Sequence, residues 1–193
     1  MLEKIYVGDL ESLVENKKVE GKQLKIGNEN FYKISNVDKM RPFFMSIVSN
    51  SNHWMFISST GSLSAGRKNS EFSLFPYYTD DKITESSDTT GSKTIITVKI
   101  NNKNFLWEPF SNRFKGAYKV SRNIYKNTIG NKVIFEEINH DLNIEFSYQW
   151  SSSNKYGFVR KSSIKNNSNN DLDINFLDGI QNILPYGVGE GLQ

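Results

Sequence analysis

Apolar and polar residues alternate along most of this chain with a period of two. In LNIEFSYQW, for example, Leu142, Ile144, Phe146, Tyr148 and Trp150 share one face and polar residues share the other. Clusters of Gly, Asn, Asp and Ser separate such runs, as expected for antiparallel strands joined by tight turns. The pattern predicts strands over residues 4–7, 23–26, 43–49, 53–59, 93–100, 104–107, 117–125, 132–138, 142–150, 157–165 and 172–177.

Turn-punctuated alternation of this kind predicts an all-β fold, a large antiparallel β-sandwich with little helix. Asn and Ser are abundant and Ala is scarce, which also favours strands and turns over helices. The only helical candidate is the short stretch 10–19. Since no linker or internal repeat interrupts the chain, residues 1–193 are expected to form a single domain.

The charge and composition of the chain argue against some classes of binding partner. The net charge is only +3, and the basic residues are spread among the acidic ones, so the sequence predicts no nucleic-acid partner. There is no cysteine, and no apolar run approaches the length of a signal-peptide core or a membrane span. The expectation is a cytoplasmic protein without membrane contact.

The stretch NHWMFISSTGSLSAGRKNSEFSLFPYYTDDK, residues 52–82, concentrates aromatic rings, a Gly-rich turn and an acidic pair. Rings beside amides and carboxylates suit carbohydrates, because C–H faces stack on rings while hydroxyls need donors and acceptors. The alternative for aromatic residues on strands is ordinary core packing. The sugar contacts predicted here and at two strand ends are Trp54, Arg67, Tyr77, Tyr78, Asp80, Trp107 and Gln181.

Catalytic and metal-binding patterns are poorly represented. His53 and His140 lie far apart and lack the spacing of metal ligands, so no metal or other cofactor is expected. The adjacent carboxylates Glu136 and Glu137 point to opposite faces of an extended strand and cannot flank one glycosidic bond. Asp80-Asp81-Lys82 reads as a turn, either solvated or binding hydroxyls. We therefore predict no catalytic residues in this chain.

Several segments resemble the N-terminal β-supersandwich domain of cellobiose-phosphorylase-like glycoside phosphorylases. They are HWMFISSTGSLSAGRKN, FPYYTDDKI, FLWEPF and KSSIKNNSNNDLDINFLDGIQNILPYG, and the resemblance covers roughly residues 43–187. The resemblance implies a sandwich similar to galactose mutarotase. It also implies a following (α/α)6 helical domain that carries the general acid, so the chain would be the N-terminal piece of a larger protein.

The leading hypothesis is therefore an accessory domain of a carbohydrate-processing enzyme, such as a glycoside phosphorylase or hydrolase, that supports sugar binding and interdomain or dimer contacts. One alternative is a stand-alone carbohydrate-binding module, and another is a structural protein-interaction sandwich without a ligand. The expected partners are a carbohydrate, the helical domain and a second copy of the chain. An apolar patch of Ile183, Leu184, Pro185 and Tyr186 is expected to be exposed in the isolated chain.

Overall fold

The computed structural model describes residues 5–7, 10–12, 17–78 and 80–192. Strands account for 52% of the chain and helix for 7%, and antiparallel sheets pack against one another. The prediction of an all-β sandwich with little helix is confirmed. In the described part of the chain, no helix combines the length and the apolar character needed to cross a membrane.

The strands follow one another with few interruptions. In chain order they are β1 (Ile5–Val7), β2 (Leu10–Ser12), β3 (Glu20–Ile26), β4 (Glu29–Ser35), β5 (Phe44–Ile47), β6 (His53–Ser58), β7 (Leu63–Arg67), β8 (Gly91–Ile100), β9 (Lys103–Trp107), β10 (Val120–Asn127), β11 (Lys132–Asn139), β12 (Ile144–Ser153), β13 (Gly157–Asn166) and β14 (Asp173–Gln181). Helix α1 (Asp80–Glu85) precedes β8, and single 3₁₀ turns occupy Val37–Lys39, Ser70–Phe72 and Glu190–Leu192.

The strands form one broad sheet and smaller ones. The six-stranded sheet has the order β13-β12-β11-β10-β4-β3, and two three-stranded sheets have the orders β14-β8-β9 and β5-β6-β7. Strands β1 and β2 form a separate hairpin. All pairings are antiparallel. The turn between β8 and β9 shows how the local sequence determines a hairpin. Asn101 and Asn102 both have positive φ, as a two-residue type I′ turn requires, and Asn tolerates this conformation.

One hydrophobic core lies against the inward face of the six-stranded sheet. The predicted apolar face of β12 is buried there from Ile144 to Trp150, which confirms its alternation. Both three-stranded sheets add side chains to the same core, for example Ile57 from β6 and Ile96 from β8. The inward and outward faces of the large sheet are therefore distinct chemical surfaces, and each carries a cavity or groove described below.

The structure differs from the sequence prediction at four elements. Strands β4 and β7 were missed, because β4 follows the two-residue Gly27-Asn28 turn directly and β7 is a short run of small residues. The expected turn at residues 80–82 is instead the beginning of α1. The helix expected over residues 10–19 is wrong wherever this stretch is described: residues 10–12 pair with β1, and residues 17–19 are irregular.

Candidate functional site

A cavity of about 470 Å³ opens between β9 and the inward face of β10 and β11. The loop of residues 108–119 forms one wall, and the segment around the 3₁₀ turn Val37–Lys39 forms another. Its volume falls within the range of about 300–1,000 Å³ that is usual for small-molecule sites. It is larger than the groove of about 360 Å³ on the other face of the sheet, which is described below.

The floor of this cavity is a buried carboxylate. Glu137 on β11 is only 1% exposed. Its Oε1 accepts a hydrogen bond from Trp107 Nε1 at 2.9 Å, and its Oε2 accepts from Phe110 N at 2.7 Å and from Arg122 Nε at 2.6 Å. A buried charge needs this density of partners, because an unpaired one would carry a large desolvation penalty.

Arg122 extends the same network into the loop wall. Its Nη1 donates to Asn112 Oδ1 at 3.1 Å and its Nη2 donates to the Ser111 carbonyl at 2.8 Å. The planar guanidinium has several donors in fixed directions, so one side chain on β10 can hold both the carboxylate and the loop. The cavity wall is thus attached rigidly to the sheet.

Phe110 shows how strongly the loop is constrained. Its φ of +65° lies in the left-handed region, which a bulky side chain rarely occupies. The N–H bond to Glu137 fixes its backbone, and its ring meets Phe135 and Tyr148 edge-on with ring centroids 6.2 and 5.2 Å apart. Backbone outliers of this kind persist only where the surroundings determine them, and they concentrate at ligand and active sites.

The mouth of the cavity is amphipathic. The ring of Phe114 is 47% exposed, and Met40 and Leu106 are also exposed beside it. Polar side chains surround these apolar surfaces, namely Lys39, Asn112, Lys115 and Lys119. Such a mouth offers rings for C–H faces and donors and acceptors for hydroxyls.

A second carboxylate at the cavity is also held by cations. Glu108 accepts from Lys93 Nζ at 3.0 Å and from Arg113 Nη1 at 3.3 Å. Glu108 and Glu137 therefore both serve as anchors of the surrounding loop. Among the described residues, no group of three or more His, Cys, Asp or Glu side chains is arranged to hold a metal ion. The arrangement is suited to binding a ligand.

The sequence-predicted sugar contacts fall into separate places. Four of them gather on β6, β7 and the segment that follows: Trp54 and Tyr77 meet edge-on at 5.7 Å, Arg67 ends β7, and Tyr78 N donates to Ser64 Oγ. The indole of Trp54 lies against Gly66, where an added Cβ would sit 2.6 Å from Trp54 Cζ2. The same Cβ would lie 2.7 Å from the Phe72 carbonyl oxygen and 2.9 Å from Ser73 Cα, so a larger residue at position 66 would clash with the backbone as well as with the ring.

The other three predicted contacts lie elsewhere. Trp107 lines the 470 Å³ cavity but is only 2% exposed, with its N–H directed at Glu137, so it offers no free stacking face. Gln181 ends β14, and its Nε2 donates to the Asp88 carbonyl at 2.9 Å. Asp80 is the first residue of α1, and its side chain lies outside the described part of the structure.

Sequence reasoning missed Arg122 and Glu137 as a pair, although a signal for it exists. In β11, Val133, Phe135 and Glu137 alternate onto the inward face, so a carboxylate stands where the pattern calls for an apolar residue. A charged side chain at such a position needs a cation nearby. Arg122 lies directly opposite in the register of β10 and β11. Finding it requires the pairing register, which the sequence alone does not give.

Comparison with models of known protein families finds no match, and comparison with curated proteins finds none either.

Proposed function

We propose that this chain is an accessory β-supersandwich domain of a carbohydrate-processing enzyme, similar to a glycoside phosphorylase or hydrolase. In this role it binds a sugar and contacts a neighbouring domain or a second copy, while catalysis belongs to a following (α/α)6 domain. The predicted cytoplasmic location and the likeness to galactose mutarotase belong to the same proposal.

The observation that carries the proposal is the amphipathic lining of the 470 Å³ cavity. Exposed ring and aliphatic surfaces at Phe114, Leu106 and Met40 stand beside the amide of Asn112 and three lysines. Sugars present apolar C–H faces and polar hydroxyls on one small body, so they match a site with both kinds of surface close together. Glu137 and Arg122 keep the walls in place, which reduces the ordering cost of binding.

The accessory role is supported by an exposed apolar surface, which we name the tail patch: Phe72, Leu74, Ile183 and Tyr186. All four side chains are exposed, and Tyr186 is 100% exposed. The hydrogen bond from Leu184 N to the Leu74 carbonyl, at 2.9 Å, brings the two segments side by side. Contiguous apolar surfaces of this kind are typical of protein–protein contacts. A helical domain or a second copy would cover it.

The test of sugar binding uses the purified chain, a panel of neutral mono- and disaccharides, and calorimetry. Phe114→Ala removes an exposed ring from the cavity mouth and should weaken binding about fivefold or more, since a single aromatic contact contributes about 1 kcal/mol. The matched control is Tyr156→Ala, which removes a ring that is 70% exposed on the turn after β12. It should leave the affinity unchanged.

The alternatives give different outcomes. Absence of any sugar binding would leave the interaction sandwich without a ligand as the better account. If the chain binds sugar but does not bind an (α/α)6 domain that is added to it, the stand-alone carbohydrate-binding module is favoured. Equal losses for Phe114→Ala and Tyr156→Ala would remove the cavity as the sugar site.

A further inference from the structure

The outward face of the six-stranded sheet carries a groove of about 360 Å³, on the opposite side of the sheet from the cavity. Its apolar floor consists of Leu24, Ile26 and Ile134. The alternation of each strand explains the separation: Glu136 faces the groove, whereas its neighbour Glu137 faces the cavity. The two sites therefore share no side chain.

Two lysines stand directly opposite each other at this groove. Lys22 on β3 is the register partner of Lys33 on β4, and both line the groove. Like charges at directly opposed positions of an antiparallel pair destabilise the sheet. Both side chains line the groove, so an anion bound there would be attracted to two ammonium groups.

The neighbouring groups offset only part of this positive charge. Lys33 Nζ lies 3.8 Å from Glu136 Oε1 and 4.9 Å from the centroid of the Tyr125 ring. The same Oε1 already accepts from Asn123 Nδ2 at 2.6 Å and from Tyr125 Oη at 2.8 Å. Within the residues the structure describes, Lys22 has no ion pair. Among the side chains that line the groove, two lysines and one carboxylate leave an excess of one positive charge.

We propose that this groove binds a small hydroxylated molecule with a single anionic group, of the size of one sugar ring bearing a carboxylate or a phosphate. The anionic group lies between Lys22 and Lys33, and the ring lies over Leu24 and Ile134. The Ser147 hydroxyl at the groove wall hydrogen-bonds a ligand hydroxyl. This inference does not depend on the cavity or on the proposed function.

The test uses the whole chain and titration calorimetry at low salt with four probes: glucuronate, glucose 6-phosphate, glucose and inorganic phosphate. We expect glucuronate or glucose 6-phosphate to bind at least about tenfold more tightly than glucose, and the better of the two identifies carboxylate or phosphate as the anionic group. Inorganic phosphate should bind more weakly than that probe, because it has no ring for the apolar floor. Equal binding of inorganic phosphate and glucose 6-phosphate would reduce the site to a simple ion site and overturn the proposal.

Three variants locate the binding. Lys22→Gln should weaken binding of the anionic probe about fivefold or more, whereas Lys25→Gln removes the same charge from the opposite face of β3 and should leave it unchanged. Glu136→Gln keeps a side-chain acceptor but removes the competing negative charge, so it should strengthen binding. Equal losses for Lys22→Gln and Lys25→Gln, or weaker binding by Glu136→Gln, would overturn the site.

Discussion

At the scale of single residues, Trp107 was predicted as a sugar contact but is part of the hydrophobic core. It is buried among the residues of the main hydrophobic cluster, and its indole N–H is engaged by Glu137. Trp107→Ala should lower the free energy of unfolding by about 3–5 kcal/mol, because a large ring leaves a cavity behind. Chemical unfolding and sugar titration on the same sample separate the roles: lost sugar affinity with unchanged stability would contradict core packing.

Glu137 holds the cavity wall through several hydrogen bonds, so its replacement should lower the free energy of unfolding strongly. Glu137→Gln keeps the size of the side chain but replaces one acceptor oxygen by an NH2 group, which then faces the donors of Phe110 or Arg122. Breaking a buried ion pair by removing one partner costs about 3–5 kcal/mol. The matched control is Glu145→Gln on the outward face of β12, whose partner Lys165 lies 3.9 Å away and is largely exposed. It should cost less than about 1 kcal/mol in urea unfolding.

These residues also show how far the sequence alone could go. The inward position of Glu137 follows from alternation, so its burial is predictable. Its partners Trp107 and Phe110 lie about 30 positions away in the chain and depend on how the β9–β10 loop crosses the sheet end. Local pattern contains no information on that crossing. The placement of Trp107 in the core, and not on a sugar platform, could therefore be decided only by the structure.

At the scale of elements, Asp178 joins two strands that are not hydrogen-bonded neighbours. Its carboxylate on β14 accepts hydrogen bonds from both Nη atoms of Arg160 on β13, at 2.7 and 2.8 Å. It also accepts hydrogen bonds from the hydroxyls of Ser162 and Thr94. Strand β13 is the edge of the six-stranded sheet and β14 is the edge of a three-stranded one. This cluster therefore fastens the two layers of the sandwich together along one side.

The same cluster makes that fastening sensitive to acid. Burial alone would raise the pKa of Asp178, but the hydrogen bonds from Arg160, Thr94 and Ser162 outweigh it, and the pKa lies below its ordinary value. A lowered pKa stabilises the fold above the unfolded value of about 3.9, and this contribution disappears as pH falls through the folded pKa. Asp178→Asn should therefore lower the free energy of unfolding at about pH 7 by more than it does near pH 3.

Urea unfolding of both proteins at several pH values measures this difference. Asp171→Asn, at an exposed position just before β14, is the control and should show the same stability as the parent chain throughout. A difference between Asp178→Asn and the parent chain that stays constant from neutral to acidic pH would show that the charge of Asp178 does not hold the layers together.

The strands and helices with a regular pattern of apolar and polar residues could be predicted from the sequence, and those without such a pattern could not. Long alternating strands were found well: the predicted bounds of β13 are correct to within one residue and those of β12 to within three, because their apolar and polar residues alternate with a period of two. Strand β7 was missed because LSAGR is buried through its small residues and has no alternating pattern. Helix α1 was missed because a six-residue helix is too short to show a helical period.

At the scale of the whole molecule, the exposed apolar surface predicts association. The structure confirms the predicted exposure of Ile183, Pro185 and Tyr186, whereas Leu184 is half-buried. Phe176 and Leu177 on edge strand β14 are also exposed. Consecutive strand residues point to opposite faces, so this part of β14 is uncovered on both sides. An uncovered apolar edge strand is a ready site for pairing with another chain.

The isolated chain should therefore self-associate as its concentration rises, and Leu177→Lys should suppress the association, because a charge on an edge strand disfavours pairing. Sedimentation velocity over a concentration series is the measurement. Ile129→Lys, which charges a 69% exposed residue on the turn after β10, is the control and should associate like the parent chain. A parent chain that remains monomeric at high concentration would contradict the prediction.

The strand order also determines when each part of the sheet can form. Strands β10 to β13 are joined by short turns and pair in sequence, whereas β4 reaches β10 across some 87 positions and β14 reaches β8 across 84. Closing such long loops costs entropy before any contact compensates it, so distant pairings form late. We expect the β10–β13 meander to gain protection first in pulse-labelled hydrogen exchange during refolding, with β4 and β14 following. The layer that carries both proposed binding surfaces would thus form first on the side of β10 to β13 and acquire β4 and β3, on its other side, last.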